Sequence, residues 1–256
     1  MLSPKGIHCD AYVMSDNRLK DRIALITGAS RGIGSAIAKR FAQEGAHTVL
    51  TARTVGGLED TDDSIRKING TASTLVPLDL TEGDTIDQLG AALYERFGRI
   101  DIVIGNAGTL GELTPVHHLE PTTWDSIIAL NVTANYRLIR SMDPLLKASD
   151  AGRAVFVTSR AAIDLNPFWG GYAASKAALE ALIKTYAQEV KHTNVRVNLV
   201  DPGCQHTSMR AKAFPGENPN KLRRPEEMTG VFVDLAEADF GQTGKTFEAY
   251  PEICPK

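Results

Sequence analysis

The sequence lacks the charge imbalance, the long apolar run and the cysteine pattern that would indicate several large classes of protein. Its 28 Lys and Arg residues and 31 Asp and Glu residues give a formal net charge of −3, so no broad basic field would attract nucleic acid or anionic lipid. No stretch is apolar over the width of a bilayer, and the first residues contain no apolar segment of a secretory signal. We therefore expect a soluble protein with a small-molecule partner, no nucleic-acid partner and no membrane partner.

The three cysteines, Cys9, Cys204 and Cys254, are too few and too scattered for a disulfide framework or a zinc site. They show neither a CxxC pair nor a Cys/His ligand spacing, and the six histidines are equally scattered. The sequence therefore predicts no metal. This cysteine usage favours a reduced compartment, so we expect the protein to be cytoplasmic.

The pattern along the chain predicts one domain. Residues 21–256 show no internal repeat or linker, and this length suits one large α/β unit. The first segment that resembles a core strand begins at Ile23, so residues 1–20 are interpreted as a flexible N-terminal extension. Residues 205–230 are rich in proline, asparagine and charge, which predicts a long loop over a substrate site.

Short apolar runs alternate with longer amphipathic stretches. The runs are rich in Val, Ile and Thr and lack polar alternation, which favours strands buried on both faces. Their regular alternation with helices predicts an α/β fold: a single Rossmann-type, doubly wound parallel sheet of about seven strands with helices on both faces. The predicted strands are residues 23–27, 47–52, 73–80, 100–108, 153–159, 195–203 and 244–250.

The predicted helices differ in length. Apolar residues recur at helical spacing over residues 32–45 and 84–98, and each stretch ends on a glycine, a common C-terminal stop. Two longer stretches, residues 121–146 and 172–190, predict helices of the length that often borders a site or an interface.

A glycine-rich turn follows the first predicted strand. The stretch "TGASRGIG", residues 27–34, leads directly into a helix. At such a junction the chain turns tightly, a pyrophosphate approaches the backbone, and the helix N-terminus offers free N–H groups. The sequence therefore predicts a dinucleotide site whose turn consists of Gly28, Ser30, Arg31, Gly32, Ile33 and Gly34.

The end of the second strand indicates which dinucleotide is preferred. An acidic residue there would bind the ribose hydroxyls of NAD and repel a 2′-phosphate. This chain has Arg53 instead, and Arg31 faces the same ribose, so NADP (NADPH) is predicted in preference to NAD. The alternative is that both arginines only solvate the surface. Asp79, followed by Leu80, would bind the adenine amino group or cap the next helix.

Tyr172 and Lys176 lie one helical turn apart, with only small residues between them. A free tyrosine titrates near pH 10 and is a poor acid or base at neutrality. A cation at roughly 4 Å, in an effective dielectric near 20, contributes about 4 kcal/mol, or about three pKa units before desolvation is subtracted. We therefore expect Lys176 to lower the pKa of Tyr172. An isolated YxxxK pair is usually surface decoration, but this pair follows a strand that ends in Ser159.

These elements, taken in order, resemble the short-chain dehydrogenase/reductase family. The resemblance covers Arg22 to about Tyr250. It consists of the TGxxxGxG turn at 27–34, the NAG element at 106–108, Asn131, Ser159 thirteen residues before the tyrosine, YxxxK, and Pro202-Gly203. The chain departs from the usual NNAG of the family at Gly105, which leaves one local hydrogen bond in question.

The resemblance implies a role for each matching residue. Tyr172 would donate a proton to the substrate oxygen, while Ser159 would hydrogen-bond that oxygen. Lys176 would hold the nicotinamide ribose, and Asn131 would carry a water that links Lys176 to solvent. The cofactor contacts would further include Asn106, Ala107, Gly108, Pro202, Gly203 and Thr207.

Neighbouring residues leave alternatives open. Thr158 could replace Ser159 as the hydroxyl, although strand alternation would turn it to the other face. Cys204 would line the nicotinamide pocket rather than act as a nucleophile. Phe168 and Trp169 would shape the substrate entrance or pack in the core.

The function predicted from these residues is an NADP-preferring oxidoreductase that interconverts a carbonyl and a secondary alcohol on a small or medium substrate. One alternative is an epimerase or dehydratase of the extended type, whose usual GxxGxxG turn and separate substrate domain are missing here. A second alternative is a redox-sensing module that binds NADP without turnover; such modules tend to lose the tyrosine or lysine that this chain keeps. By analogy with the family, the protein is expected to be a homo-oligomer, a dimer or a tetramer.

Overall fold

A computed structural model describes residues 17–250 of the chain. Its centre is one seven-stranded parallel sheet with the strand order β3-β2-β1-β4-β5-β6-β7, which confirms the predicted doubly wound α/β fold. The strands are β1 Ile23–Thr27, β2 His47–Ala52, β3 Thr74–Pro77, β4 Ile102–Gly105, β5 Arg153–Val157, β6 Arg196–Asp201 and β7 Thr246–Glu248.

The strand order reverses beside β1. β1 pairs with β2 on one side, with Thr27 opposite Thr51, and with β4 on the other, with Ile26 opposite Ile104. The connections after β1 and β4 therefore leave in opposite directions and open a crevice at the carboxyl ends of these strands, where ligands bind in such sheets.

Helices cover both faces of the sheet, because the central strands are apolar on both sides. On one face a core forms around Phe41 and Phe232, and on the other a core forms around Leu93 and Met142. The helices are α1 Gly32–Gln43, α2 Val55–Asn69, α3 Gly83–Phe97, α4 Pro121–Ile128, α5 Ala134–Ala148, α6 Ala161–Asp164, α7 Gly170–Glu189, α8 Ser208–Ala213 and α9 Gly230–Ala236.

Two predicted elements need correction. The helix predicted over residues 121–146 is interrupted: α4 and α5 are joined by a π-helical turn, Ala129–Thr133. The segment predicted as a long loop, residues 205–230, contains α8 and two 3₁₀ turns, Pro219–Lys221 and Pro225–Met228. Short helices satisfy much of the backbone hydrogen bonding that a polar loop would leave to water.

The packed domain starts no later than Arg18. Its guanidinium binds Asp234 at 2.6 Å and Glu237 at 2.5 Å, and Leu19 is fully buried. Residues 17–20 of the predicted extension are thus tied to the domain, whereas residues 1–16 and 251–256 lie outside the described residues. Within residues 17–250, no helix combines the length and the apolar character needed to cross a membrane.

Candidate active site

The glycine turn between β1 and α1 forms a cradle of backbone. Gly28 and Gly32 have φ values of +66° and +57°, a left-handed conformation that only glycine adopts without strain. A Cβ on Gly34 would lie 2.3 Å from the Gly28 carbonyl oxygen. Arg31 precedes the first turn of α1 and supplies no side-chain cap. The N–H groups of that turn therefore remain available to an anion.

The end of β4 holds this cradle in place. Asn106 Nδ2 donates to the Thr27 carbonyl oxygen at 2.9 Å and to that of Gly28 at 3.3 Å. The backbone N–H groups of Asn106 and Ala107 both donate to Thr27 Oγ1, each at 3.0 Å. The Asn106 amide, predicted as a cofactor contact, is thus occupied in positioning the turn. Thr27 was not among the site residues predicted from the sequence, although it is the first residue of the glycine motif.

The departure at Gly105 has a steric reason. A Cβ on Gly105 would lie 2.2 Å from Cδ1 of Phe156 on the neighbouring strand. Phe156 is fully buried. The ring of Phe156 therefore occupies the space that an asparagine side chain would need.

The predicted 2′-phosphate contacts lie at the carboxyl ends of β2 and β3. Arg53 is mostly exposed, and its Nη1 is 3.7 Å from Asp79 Oδ2, a distance at which an exposed pair contributes little free energy. Asp79 Oδ1 accepts from the N–H and hydroxyl of Thr81 at 2.9 and 2.7 Å. Asp79 thus organises the turn before α3, but it does not cap that helix, whose N-cap residue is Glu82. One Asp79 oxygen remains turned toward Arg53.

Other predicted contacts are mainly structural. Leu80 is buried in the core, and the β-carbon of Ser30 would lie 2.9 Å from a Cβ on Gly57. Ile33 packs against the core that contains Phe41. These residues contribute to the cradle through their backbone positions and their packing.

Tyr172 and Lys176 meet Ser159 where β5 ends. Both are buried on the inner face of α7, and Lys176 Nζ lies 5.8 Å from the centroid of the Tyr172 ring. Lys176 Nζ donates to the Val157 carbonyl oxygen at 2.8 Å. The Ser159 hydroxyl lies close enough to Tyr172 to lower the pKa of that tyrosine by hydrogen bonding, so the structure brings together the three residues predicted to act on the substrate.

The pKa of Tyr172 shifts in the direction opposite to the prediction. Its pKa rises to about 12, mainly because of burial, with a smaller raising effect of Asp201 and against the lowering effect of the hydrogen bond from Ser159. Burial also lowers the pKa of Lys176 to about 8, against a smaller raising effect of Asp201. Loss of hydration is thus the largest effect on the pKa of both groups.

Asp201 was not among the site residues predicted from the sequence. It ends β6, directly before Pro202-Gly203, and burial raises its own pKa. Its Oδ1 accepts from the Gly203 N–H at 3.0 Å, and Gly203 has a φ of +66°. A carboxylate beside a Pro-Gly turn at the carboxyl edge of a parallel sheet was the signal that could have identified it.

Asn131 lies in the π-helical turn and joins three segments. Its Oδ1 accepts from the Thr109 N–H at 2.8 Å, and its Nδ2 donates to the Thr109 carbonyl oxygen and to Ser175 Oγ, both at 2.9 Å. Ser175 Oγ in turn donates to the Tyr172 carbonyl oxygen at 2.7 Å. Asn131 therefore fixes α7 against the segment after Gly108.

The segment after β6 places the remaining predicted residues. Thr207 Oγ1 accepts from the Arg210 N–H at 3.2 Å and so caps α8, and its methyl group would lie 3.5 Å from a Cβ on Gly32. Thr207 thus faces the glycine cradle. Thr158 donates to Glu180 Oε1 at 2.9 Å, so it points away from Ser159, as strand alternation predicted.

Cys204 corrects the expectation of unpaired cysteines. It is disulfide-bonded, and the other two cysteines of the sequence lie outside the described residues. This bond argues against a free thiol lining the pocket.

The cradle fits the pyrophosphate of a dinucleotide. A turn with glycines at its closest backbone approaches leads to the N-terminus of a twelve-residue helix that no side chain caps, and that combination provides both the space and the N–H donors for phosphate oxygens. Among residues 17–250, no three His, Cys, Asp or Glu side chains gather to hold a metal ion.

Comparison with known proteins places the chain among relatives. The sequence model described as short chain dehydrogenase matches residues 22–218. The oxidoreductase YciK of Escherichia coli K12 is 36% identical over 247 residues, which are 95% of this chain and 98% of YciK. The 3-oxoacyl-[acyl-carrier-protein] reductase FabG of Thermotoga maritima is 33% identical, over 86% of this chain and 92% of FabG.

Solved structures share the whole fold. A short chain dehydrogenase from Shigella flexneri has a TM-score of 0.91 at 35% identity, over 96% of this chain and 97% of that one. A short chain dehydrogenase from Escherichia coli CFT073, in complex with NADPH, has a TM-score of 0.89 at 36% identity, over 92% and 99% of the two chains. The chain belongs to the short-chain dehydrogenase/reductase family and is an NAD(P)-dependent oxidoreductase.

Proposed function

We propose that the protein interconverts a carbonyl group and a secondary alcohol on a small or medium substrate, with NADPH preferred to NADH. The observation that carries this proposal is the convergence of Ser159, Tyr172 and Lys176 beside the cradle that begins at Gly28. A proton donor, a hydroxyl hydrogen-bonded to it and a buried cation lie together in the crevice where a dinucleotide fits.

The protein residues handle the proton. When bound, the dihydronicotinamide supplies a hydride to the carbonyl carbon. Tyr172 remains protonated at neutral pH, because burial holds its pKa at about 12, so its hydroxyl is available to donate to the substrate oxygen. Ser159 donates a hydrogen bond to the same oxygen as negative charge develops there. In the opposite direction, a Tyr172 that has first lost its proton to solvent would accept the hydroxyl proton of the alcohol, while the hydride would leave the alcohol carbon for the oxidised cofactor.

Lys176 and Asn131 support this step. Lys176 is held by the Val157 carbonyl oxygen and leaves further N–H donors for a ribose hydroxyl. The negative charge that develops on Tyr172 would favour the protonated form of Lys176. Asn131 positions the segment after Gly108 and the first turn of α7 through Thr109 and Ser175; a water held near its backbone would return the proton from solvent.

The preference for NADPH rests on Arg31 and Arg53. Both arginines would reach the 2′-phosphate of the adenosine ribose, and the second strand ends without the carboxylate that favours NADH. The dehydrogenase from Escherichia coli CFT073 was solved with NADPH, and one from Shigella flexneri 2a with NADP. These relatives support the preference.

Consumption of NADPH tests the proposal. The purified protein should oxidise NADPH, followed at 340 nm, with at least one member of a panel of ketones, aldehydes and β-ketoacyl thioesters. Tyr172→Phe should bind NADPH and consume it at least about a hundredfold more slowly. Turnover of a nucleotide sugar, with none of the panel consumed, would instead favour the extended-type alternative.

Location and assembly also remain proposals. We expect a cytoplasmic homo-oligomer, a dimer or a tetramer. The disulfide at Cys204 counts against the premise from which the cytoplasmic location was predicted. A measurement of the thiol content of the protein from its natural cells would decide this point.

A further inference from the structure

Six large apolar side chains are exposed in the segments that adjoin the Tyr172 site. We call these residues the apolar rim. They come from three segments: the stretch after β4, the turn between β5 and α7, and the region of α8. The rim consists of Val116 (71% exposed), Ile163 (71%), Leu165 (68%), Phe168 (56%), Phe214 (39%) and Met209 (36%). Exposed apolar residues that cluster in this way mark a binding surface more often than isolated ones do.

Two rim residues hold a strained backbone conformation. Leu165 and Phe168 have φ values of +50° and +74°, and they are two of the four non-glycine residues with positive φ in residues 17–250. The left-handed backbone region disfavours large side chains. The conformations of Leu165 and Phe168 therefore raise the free energy of the folded state. Such strain is found mainly at functional sites.

The rim continues inward to Tyr172. Leu110, Ala161 and Tyr172 form a small buried cluster separate from the two cores of the sheet, and Trp169 packs against it. The Trp169 ring lies 5.9 Å from that of Tyr172 and 5.8 Å from that of Phe214, between centroids. An aromatic path therefore leads from the surface to the predicted proton donor.

Cations near this path already have hydrogen-bond or ion-pair partners, of which the exposed pairs of Arg160 are weak. Arg210 is bound by both carboxylate oxygens of Glu217, at 2.6 and 2.7 Å, and its guanidinium covers the Phe214 ring at 3.8 Å. Lys212 Nζ donates to the Gly111 carbonyl oxygen at 2.9 Å. Arg160 lies 3.5 Å from Asp164 and 3.7 Å from Glu248. An anionic substrate would have to displace Glu217 from Arg210 or the Gly111 carbonyl oxygen from Lys212.

We propose that the substrate is an uncharged carbonyl compound, or its alcohol, with a large hydrocarbon group that lies on Trp169 and Phe214. Carboxylates, phosphates, coenzyme A thioesters and protein-carried acyl groups are disfavoured. The inference rests on the proposed function, because it takes the carbonyl group to be at Tyr172.

Matched substrates test charge and size separately. In the series of 2-alkanones from butanone to decanone, kcat/KM should rise by about fourfold for each methylene group that becomes buried on the rim. Methyl acetoacetate should exceed acetoacetate, which has the same carbonyl but carries a charge, by at least tenfold. A flat alkanone series, or a preference for acetoacetate or for an acyl carrier protein thioester, would overturn the inference while leaving the proposed function intact.

Two tryptophans provide a matched pair of variants. Trp169→Ala should lower kcat/KM for 2-decanone by at least tenfold but for butanone by less than threefold. Trp124→Ala, at a half-exposed position on α4 outside the rim, should change neither value. Equal losses for both ketones in Trp169→Ala would indicate a merely structural role.

Phe168→Asn is the second variant, because asparagine tolerates positive φ better than phenylalanine does. It should raise the midpoint of thermal unfolding while it lowers kcat/KM for 2-decanone. A variant that gains stability and keeps full activity on 2-decanone would contradict a role for the strained turn in substrate binding.

Fluorescence separates binding from turnover. In Trp124→Phe, Trp169 is the only tryptophan, and 2-decanone should change its emission in a saturable manner, whereas acetoacetate should not. Saturable binding without any NADPH consumption would count against the proposed function alone. No saturable change with 2-decanone would overturn the inference, and no turnover in addition would overturn both.

Discussion

At the scale of single residues, Tyr172 and Lys176 show how burial competes with charge. Both side chains lose water on the inner face of α7, and that loss raises the pKa of the tyrosine to about 12 and lowers that of the lysine to about 8. The prediction from sequence considered the attraction between the two groups and left desolvation to be subtracted. Only the packing around α7 decides how large that subtraction is.

Removal of the Tyr172 hydroxyl tests its role as proton donor. Tyr172→Phe should lower kcat by about 10²–10⁴-fold, the usual contribution of a general acid, while the Kd for NADPH changes little. Steady-state kinetics and NADPH fluorescence measure the two quantities. Tyr136→Phe, at an exposed position on α5, is the control. A Tyr172→Phe variant that keeps a tenth of the activity would exclude Tyr172 as the donor.

The pKa of Lys176 predicts how stability depends on pH. Between pH 8 and about 10.4, the ordinary lysine pKa, the unfolded chain binds a proton that the folded protein does not, so the free energy of unfolding should rise with pH. From pH 8 to pH 10 this rise amounts to about 2–3 kcal/mol. Above pH 10, the raised pKa of Tyr172 should reverse the trend, because the unfolded chain then loses a proton that the folded protein keeps.

Urea denaturation between pH 7.5 and 10 measures this effect. Lys176→Met should lose the rise, and Lys184→Met, at an exposed position on the same helix, should keep it. The same pH dependence in wild type and Lys176→Met would show that Lys176 titrates in the folded protein as it does in the unfolded chain.

Arg53 tests the choice of dinucleotide. Because its ion pair with Asp79 is long and exposed, the guanidinium is free to turn to a phosphate. Arg53→Ala should raise the Kd for NADPH by about 10–100-fold, as expected for a lost charge-assisted contact of about 1.5–3 kcal/mol, and leave the Kd for NADH nearly unchanged. Arg66→Ala on α2 is the control, and isothermal titration measures both constants. An equal rise in the Kd for NADPH and in the Kd for NADH would contradict the preference for NADPH.

At the scale of elements, β4 and β5 show that a side chain on one strand can fill the space left by a missing side chain on its neighbour. Gly105 has no side chain, and the ring of Phe156 on the neighbouring strand fills the space. The sequence showed that the usual asparagine was missing, but the register that sets Gly105 opposite Phe156 belongs to the sheet. The strand propensity of the residues in β4 does not reveal which residues of β5 lie beside them.

Gly105→Ala tests this packing. The added Cβ would meet a buried ring, so the free energy of unfolding should fall by about 1–3 kcal/mol, the usual cost of overpacking. Gly56→Ala on α2, where a Cβ meets nothing within 4 Å, should be neutral or stabilising, since alanine favours helices. Urea denaturation compares the two. A stabilising Gly105→Ala would show that Phe156 moves freely.

The predicted helices lie where the sequence placed them, but the helix predicted over residues 121–146 is not continuous. Apolar spacing predicted α1 and α3, and their terminal glycines Gly45 and Gly98 have positive φ, as such stops require. The same spacing could not reveal the π-helical turn around Asn131. That turn is stabilised by the bonds of Asn131 to Thr109 and Ser175, which come from segments distant in sequence.

At the scale of the whole molecule, α7 presents an outer face with no partner among the described residues. Four exposed alanines, Ala174, Ala177, Ala178 and Ala181, recur at i, i+3, i+4 and i+7. They lie on the side opposite Tyr172 and Lys176. Small residues at this spacing let two helices approach closely, which supports the expected homo-oligomer.

A charge on this face tests the assembly. Ala181→Glu should shift the mass measured by light scattering after gel filtration toward the monomer, because two buried carboxylates would lie close together across the interface. Ala91→Glu, at an exposed alanine on α3, should not change the mass. A wild-type protein that already has the mass of one chain would contradict the expectation of an oligomer.

The sequence alone determined the parallel α/β fold, the position of the glycine cradle and the residues Ser159, Tyr172 and Lys176, because these depend on local patterns and on their order along the chain. The tertiary structure decided the pKa directions, the roles of Thr27 and Asp201 and the exposure of the apolar rim. Each of these depends on which distant segments exclude water from a side chain or leave it uncovered, and residue spacing along the chain does not contain that information.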